Sequence, residues 1–234
     1  MKTAEEVADE FKHYAYSVSH DVGAPVRAMV QFSRILSEEC STQLDEQGRE
    51  YLQHIVESGQ KLQRMMNSLL TYSRLMTRDP HYTSINVAHV VSCCLDELND
   101  LAERNNATLC VSDLPNIYGD MAQIYQIFYV LIDNAIRYCL PGNPPKVHIY
   151  AMPAGDFWQF HVVDNGVGIP EDFHHKVFMP FAKLHADEAG AGIGMGLTIA
   201  HKIAELHGGS LNHSPADSRG TDFYVLLPAR RIKA

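Results

Sequence analysis

The chain of 234 residues is 46% apolar, enough for one large core or two small ones, and nothing in its composition reads as disordered. A formal net charge of -9 and a pI near 5.8 argue against a nucleic-acid surface, which would show as a clustered excess of Lys and Arg. No apolar run approaches the ~20 residues that span a bilayer, and the N-terminus lacks a basic stretch ahead of a hydrophobic signal core, so a cytoplasmic protein is expected.

From Phe11 the apolar residues recur at Tyr14, Val18, Val22, Pro25, Met29, Phe32 and Leu36, in steps of three and four that predict a long bundle helix. A second run, through Tyr51, Ile55, Leu62, Met65, Leu69, Tyr72 and Met76 and broken only at Ser58, predicts its partner across a turn near Cys40 to Glu46. An isolated hairpin of this kind leaves much of each apolar stripe in water. It is therefore expected to pair with a second copy as a four-helix bundle, making the protein a homodimer. Pro80 stops the second helix, which divides the chain into 1–78, a linker at 79–84, and a second domain at 85–234.

Beyond the linker the spacing predicts a helix from about Asn86 to Arg104, a strand near Ala107 to Val111, and a helix from Asp120 to Tyr138 that opens on the capping-box pair Asp120 and Gln123. Strands follow at Lys146 to Ala151 and Phe157 to Val163. A last helix runs from Gly196 to His207, ending at Gly208-Gly209, and a strand from Asp222 to Leu227 closes the domain. The fold class is α+β: a helical hairpin, then an α/β sandwich with helices on one face of a mostly antiparallel sheet. Five cysteines without CxxC spacing read as reduced thiols, and thirteen histidines without HxxxH or HExxH spacing give no metal site.

Four features carry chemistry. On the first helix, Ser19 to Arg27 sets His20 beside Asp21 and five residues ahead of Pro25. His20 lies two residues past Val18, roughly 200° around the helix and away from the seam. Pro25 lacks the N–H that would bond the carbonyl of Asp21 and should loosen that turn. A neutral imidazole is a competent nucleophile when a carboxylate holds the proton on its other nitrogen. On the helix from Asp120, Asn134 and Arg137 fall within one turn, so an amide oxygen for Mg²⁺ and a guanidinium for phosphate would share a side. Asp164 ends a strand and is followed by Gly166 and Gly168, an arrangement that lets backbone approach a flat base while the carboxylate accepts from an exocyclic amine. Gly190, Gly192, Gly194 and Gly196 alternate into the start of the last helix, offering N–H donors to an anion.

In order and spacing these elements resemble the conserved boxes of two-component sensor histidine kinases and of the wider ATPase superfamily that includes gyrase, Hsp90 and MutL. Ser19 to Arg27 resembles the phosphoacceptor box, Asn134 to Tyr138 the asparagine box, and Asp164 to Gly168 the first glycine box. Phe178-Met179-Pro180-Phe181 resembles the phenylalanine box, Gly192 to Leu197 the second glycine box, and Gly220-Thr221 the terminal strand motif. The resemblance implies a dimerisation and histidine phosphotransfer domain followed by a Bergerat-type catalytic domain that uses ATP and Mg²⁺. By that carry-over His20 is the phosphoacceptor, Asp21 its base or orienting partner, and Asn134 the Mg²⁺ ligand. Asp164 holds the adenine amine, with Gly166, Gly168, Gly192, Gly194, Gly196 and Leu197 shaping the lid. Arg137 stands where a Lys is usual and acts with Tyr138 at the nucleotide, and Thr221 lies near a water-mediated adenine contact.

The implied reaction is autophosphorylation of His20 followed by transfer to an aspartate of a response regulator. An upstream sensor domain or partner would supply the signal. Val130 replaces a second Asn usual in the asparagine box, Ile193 stands where a Thr or Ser is common, and the segment Ala182 to Ala191 is a short lid, departures expected to weaken nucleotide coupling. Ala24 takes the place of a Thr or Asn that positions water in phosphatase-active members, so phosphatase action is expected to be weak or absent. The rival reading is a phosphotransfer or scaffold protein with a degenerate nucleotide domain. A stand-alone ATPase would leave His20 beside Pro25 unexplained.

Overall fold

The computed structural model describes residues 4–40, 42–76, 80–140, 142–184, 192–216 and 219–230, with side chains described from Asp21 onward. The chain divides into two compact units, Met1–Asp79 and Pro80–Ala234.

The first unit is a hairpin of α1 (Ala4–Glu39) and α2 (Glu46–Leu75). Asp45 starts α2 by accepting the N–H of Gly48 at 2.8 Å, satisfying one of the unpaired donors of a helix start. α1 continues through Pro25 as one helix. The side chains that close the hairpin are Val26, Val30 and Ser33 on α1 with Met66 and Ser73 on α2. Gly59 permits the approach, since a Cβ there would lie 2.3 Å from Val30 Cγ2. Most of the stripe read from the sequence lies beside this seam rather than in it. Phe32 is 66% exposed and Met29 54%, and Val22, Leu36, Tyr51, Ile55 and Leu62 are exposed as well. Val and Ser side chains with Met66 thus close the hairpin, while most of the larger apolar residues form an outward face.

In the second unit, β1 (Tyr82–Asn86) pairs antiparallel with β3 (Asn116–Asp120) as a separate ribbon. β1 occupies positions 82–84 that the sequence reading assigned to a linker. A five-stranded sheet runs in the order β2-β4-β5-β7-β6, from β2 (Thr108–Val111), β4 (Lys146–Ala154), β5 (Phe157–Asp164), β6 (Ser210–Pro215) and β7 (Thr221–Pro228). Only β2 and β4 are parallel, so the sheet is mostly antiparallel as expected.

The single helix expected from Asn86 to Arg104 is two, α3 (Val87–Glu97) and α4 (Asn99–Arg104). Leu98 breaks it at φ -91 and ψ 3, where its N–H reaches both Cys94 O and Asp96 O and its side chain is buried. Asn86 is the cap rather than the first turn, accepting the N–H of His89 at 3.1 Å.

α5 (Met121–Arg137) and α6 (Gly196–Leu206) cover one face of the sheet. Ile124, Ile127, Phe128, Leu131, Ile132 and Ile136 of α5 are essentially inaccessible, as are Ile149, Phe160, Leu211, Val225 and Leu227 of the strands. At ~1.5–3 kcal/mol per fully buried large side chain, this layer is the main source of the unit's stability. Phe128 meets Phe160 edge to face at 5.6 Å.

Only half of the expected capping box forms. Asp120 Oδ1 accepts the N–H groups of Ala122 and Gln123 at 3.1 and 3.2 Å. The Asp120 N–H, however, donates to His207 Nε2 at 3.1 Å, and Gln123 Oε1 is buried with no partner among the described residues. His207 Nδ1 donates to Ile203 O at 2.8 Å, which fixes Nε2 as the acceptor. Burial pushes the His207 pKa down and keeps the ring neutral, so it ties the end of α6 to the start of α5.

Candidate nucleotide site

α5 and α6 flank a cavity of the second unit, and most of the residues singled out in the sequence line it. α5 contributes Tyr129, Val130, Asp133 and Asn134, followed by its cap Tyr138. The end of β5 contributes Asp164, the turn after it Val167, Gly168 and Ile169, and β7 contributes Thr221 and Phe223. Ala182, Lys183 and Leu184 line it from one side and Gly192, Ile193, Gly194, Gly196 and Leu197 from another.

Asp164 is the best-anchored of these groups. Its Oδ1 accepts the N–H of Gly166 at 2.7 Å and of Thr221 at 3.1 Å, leaving Oδ2 without a hydrogen bond among the described residues. Burial pushes its pKa up to about 6; the two backbone donors oppose that rise, and the charge of Asp222 adds to it.

The glycines around Asp164 have steric reasons to be glycines. A Cβ on Gly166 would lie 2.3 Å from the carbonyl oxygen of Tyr138, which accepts the N–H of Val167 at 3.0 Å. Gly220, at φ +109, would put a Cβ 2.1 Å from Asp164 O, so only glycine lets β7 begin close enough for the Thr221 N–H to reach the carboxylate. Gly166 shapes the turn from outside and does not itself line the cavity.

Two segments meet at Gly194, φ +79, whose carbonyl accepts the Phe181 N–H at 2.9 Å. Phe181 has a positive φ of 62, uncommon for a bulky residue. The expected lid, Ala182 to Ala191, lies from 185 onward outside the described residues. Gly192 has open space where a Cβ would sit, whereas Gly196 faces Val130, whose Cγ1 would be 3.1 Å from such a Cβ. α6 starts after Met195 with no side-chain cap, so its first-turn N–H groups are not consumed by a capping side chain.

Asn134 and Arg137 do not share a side. Asn134 lines the cavity, but Arg137 Nε donates to both carboxylate oxygens of Asp133, at 2.7 and 2.8 Å, and does not line it. The four-residue spacing to Asp133 puts that pair face to face along the helix, and it prevails over the grouping assumed from the sequence. Arg137 is the more firmly cationic for it, its pKa raised chiefly by the hydrogen bond to Asp133. Among the described residues, Lys183 is the one Lys or Arg lining the cavity, and the sequence reading missed it. Its signal was a cation two residues after the Phe178 to Phe181 segment. Asp133 was missed as a wall residue for the same reason that Arg137 was misplaced.

His20 falls on α1, and its side chain lies outside the described residues. Asp21 is exposed.

Residues 13–78 match the family described as the His Kinase A (phospho-acceptor) domain. Residues 119–231 match the histidine kinase-, DNA gyrase B-, and HSP90-like ATPase family. The chain is similar to phytochrome-like protein Cph1 of Synechocystis sp., 30% identical over an alignment of 238 positions that covers 97% of this chain and 32% of that protein. It is 33% identical to cyanobacterial phytochrome B of Nostoc sp. over 220 residues, 93% of this chain and 29% of that one. The chain thus spans about a third of the length of these curated relatives. In fold it resembles full-length ShkA solved with AMPPNP, at a TM-score of 0.70 and 21% identity over 95% of this chain and 47% of that one.

Proposed function

The chain belongs to the sensor histidine kinases, with a phosphoacceptor domain and an ATPase-type domain in sequence, and from that premise we propose that the second unit binds Mg·ATP and that His20 of the first receives its γ-phosphoryl group. The observation that carries this reading is Asp164: a buried carboxylate with one oxygen held by two backbone N–H groups and the other without a partner among the described residues, at the wall of a cavity that also contains Asn134. A carboxylate so held accepts from an exocyclic amine and repels a carbonyl, which favours adenine over guanine.

The donor set fits a metal-bound triphosphate. The Asn134 amide oxygen is a hard oxygen ligand for Mg²⁺, and Lys183 with the uncapped first turn of α6 offers charge and N–H donors to phosphate. Bound there, Mg²⁺ would supply charge neutralisation at the phosphates. A ring nitrogen of His20 forms the N–P bond as the bond from the γ-phosphorus to its bridging oxygen breaks and ADP leaves. Asp21 is placed by sequence to take or hold the proton on the other ring nitrogen. The phosphoryl group then passes to an aspartate of a response-regulator receiver domain. The outward apolar face of the hairpin, from Val22 to Leu36 and from Tyr51 to Leu62, supports a homodimer built as a four-helix bundle.

Arg137, held by Asp133, steadies the metal end of α5 rather than contacting phosphate directly. The intact Asp164 cradle weighs against the scaffold reading, while Val130, packed towards Gly196, keeps the phosphate end less polar than the family pattern. No helix among the described residues is long and apolar enough to cross a membrane. A cytoplasmic catalytic core driven by an upstream sensor domain or partner is the arrangement we propose. Incubation with γ-labelled Mg·ATP tests the reading: acid-labile, alkali-stable label is expected on the wild type and absent from His20→Gln. Label that survives the substitution would place the phosphoacceptor elsewhere.

A further inference from the structure

Asn165 stands between Asp164 and Gly166 and turns its side chain away from the nucleotide cavity, yet both ends of its amide are engaged. Oδ1 accepts the N–H of Lys146, the first residue of β4, at 2.7 Å. Nδ2 donates to the carbonyl of Pro144 at 3.1 Å. The thiol of Cys139, next to the α5 cap Tyr138, approaches Oδ1 at 3.9 Å and donates to Asn143 O at 2.7 Å. One side chain thus ties the turn after β5 to the connection between α5 and β4. On the other side of the turn, Val167 N–H holds Tyr138 O at 3.0 Å, and Gly166 passes too close to that oxygen for a Cβ.

We propose that Asn165 is a positioning residue for adenine selection: it bolts the turn carrying Asp164 to the connection that leaves α5 for β4, so that the base-reading carboxylate and the Asn134 helix move as one piece. The inference rests on the nucleotide reading given above. The chemistry calls for an amide at this position. The site needs one acceptor for the Lys146 N–H and one donor for the Pro144 carbonyl, and a planar amide supplies both at once. A carboxylate would turn an oxygen towards the Pro144 carbonyl, and an apolar side chain would leave Lys146 N–H and Pro144 O without these bonds. Asn165 touches neither base nor phosphate, so its effect should fall on which base is held and how tightly, not on the transfer step once ATP is in place.

The test is calorimetric titration of the whole chain with Mg·ATP and with Mg·GTP, for wild type and Asn165→Ala. The wild type should prefer ATP, and the variant should narrow the ATP:GTP ratio by about tenfold, chiefly through weaker ATP binding. Labelling at saturating ATP should stay within about twofold, a KM effect without a kcat effect. General loss of structure would lower the competent fraction for both nucleotides alike and leave the ratio of dissociation constants unmoved. If Asn165→Ala does not fold, Asn165→Asp, which keeps the size and the Lys146 acceptor, is read by the same ratio. An unchanged ratio in a folded variant overturns the positioning role and leaves the nucleotide reading standing. A wild type that binds neither nucleotide overturns both.

Discussion

The two ends of the nucleotide cavity are built in different ways. At the end around Asp164, backbone does the work: two N–H groups on one carboxylate oxygen, a Tyr138 carbonyl against Gly166, and an Asp164 carbonyl against Gly220. At the end around Asn134, the walls are side chains standing on helix faces, with Asp133 committed to Arg137 and Val130 filling the space beside Gly196. The first arrangement is over-determined, because each contact constrains the same few atoms. The second has fewer constraints on any one group. Changes at the Asp164 end should therefore act all or nothing, and changes at the Asn134 end should be graded and specific to the metal-bound phosphates.

The sharpest way to break that contrast is Gly220→Val. A branched side chain beside Asp164 O at φ +109 would push β7 away and release the Thr221 N–H from the carboxylate, so nucleotide binding should be lost altogether while the hairpin unit stays helical. Titration with Mg·ATP and circular dichroism check both halves. Asn134→Ala should be next in size. Mg·ATP affinity should fall by at least roughly tenfold to a hundredfold, the range that losing only a metal ligand's supporting contacts costs, while binding of ADP without Mg²⁺ changes little. A parallel loss for both ligands would mean that the two ends are not separable.

The smallest expected effect is that of pH. The pKa of Asp164 in the free protein is raised to about 6 from its ordinary 3.8. The neutral carboxyl is therefore the form the folded state favours, and the stability it contributes is present below about 4 and lost as pH rises through about 6. Nucleotide affinity runs the other way, because the adenine amine needs the ionised acceptor. It should be flat above about 7 and weaken below about 6, by no more than about tenfold per pH unit. Removing the carboxylate should abolish this limb of the profile.

Much of this arrangement was legible in the sequence, and the reasons are local. α5 shows its start through Asp120 and its body through 3.6-residue spacing, and the alternation along β7 marks a strand covered on one face. What stayed hidden depends on contacts between distant positions. β1 and β3 are short and polar-edged, and they exist because they pair with each other. The break at Leu98 leaves the apolar spacing intact, so no pattern announces it. Glycines 166 and 220 stood out as a motif, but the carbonyls that require them belong to Tyr138 and Asp164, on other segments. Arg137 was drawn to the phosphates by its charge and its distance from Asn134, whereas Asp133, one turn earlier, holds it. Lys183 had only its place after a Phe-rich segment to recommend it. In the hairpin the apolar period was plain, yet it could not tell the seam at Val26 and Val30 from the larger outward stripe, because both repeat on the same helix.

The most direct measurement is the affinity of the whole chain for Mg·ATP, wild type beside Asp164→Asn, at a pH well above 6. The amide keeps the size of the carboxylate but changes the group that reads the base. The account predicts a loss of about a hundredfold or more, with the protein still folded and the preference for ATP over GTP gone. Equal affinity in the two proteins would contradict it, because the cavity would then hold its ligand by something other than the carboxylate around which the backbone is built.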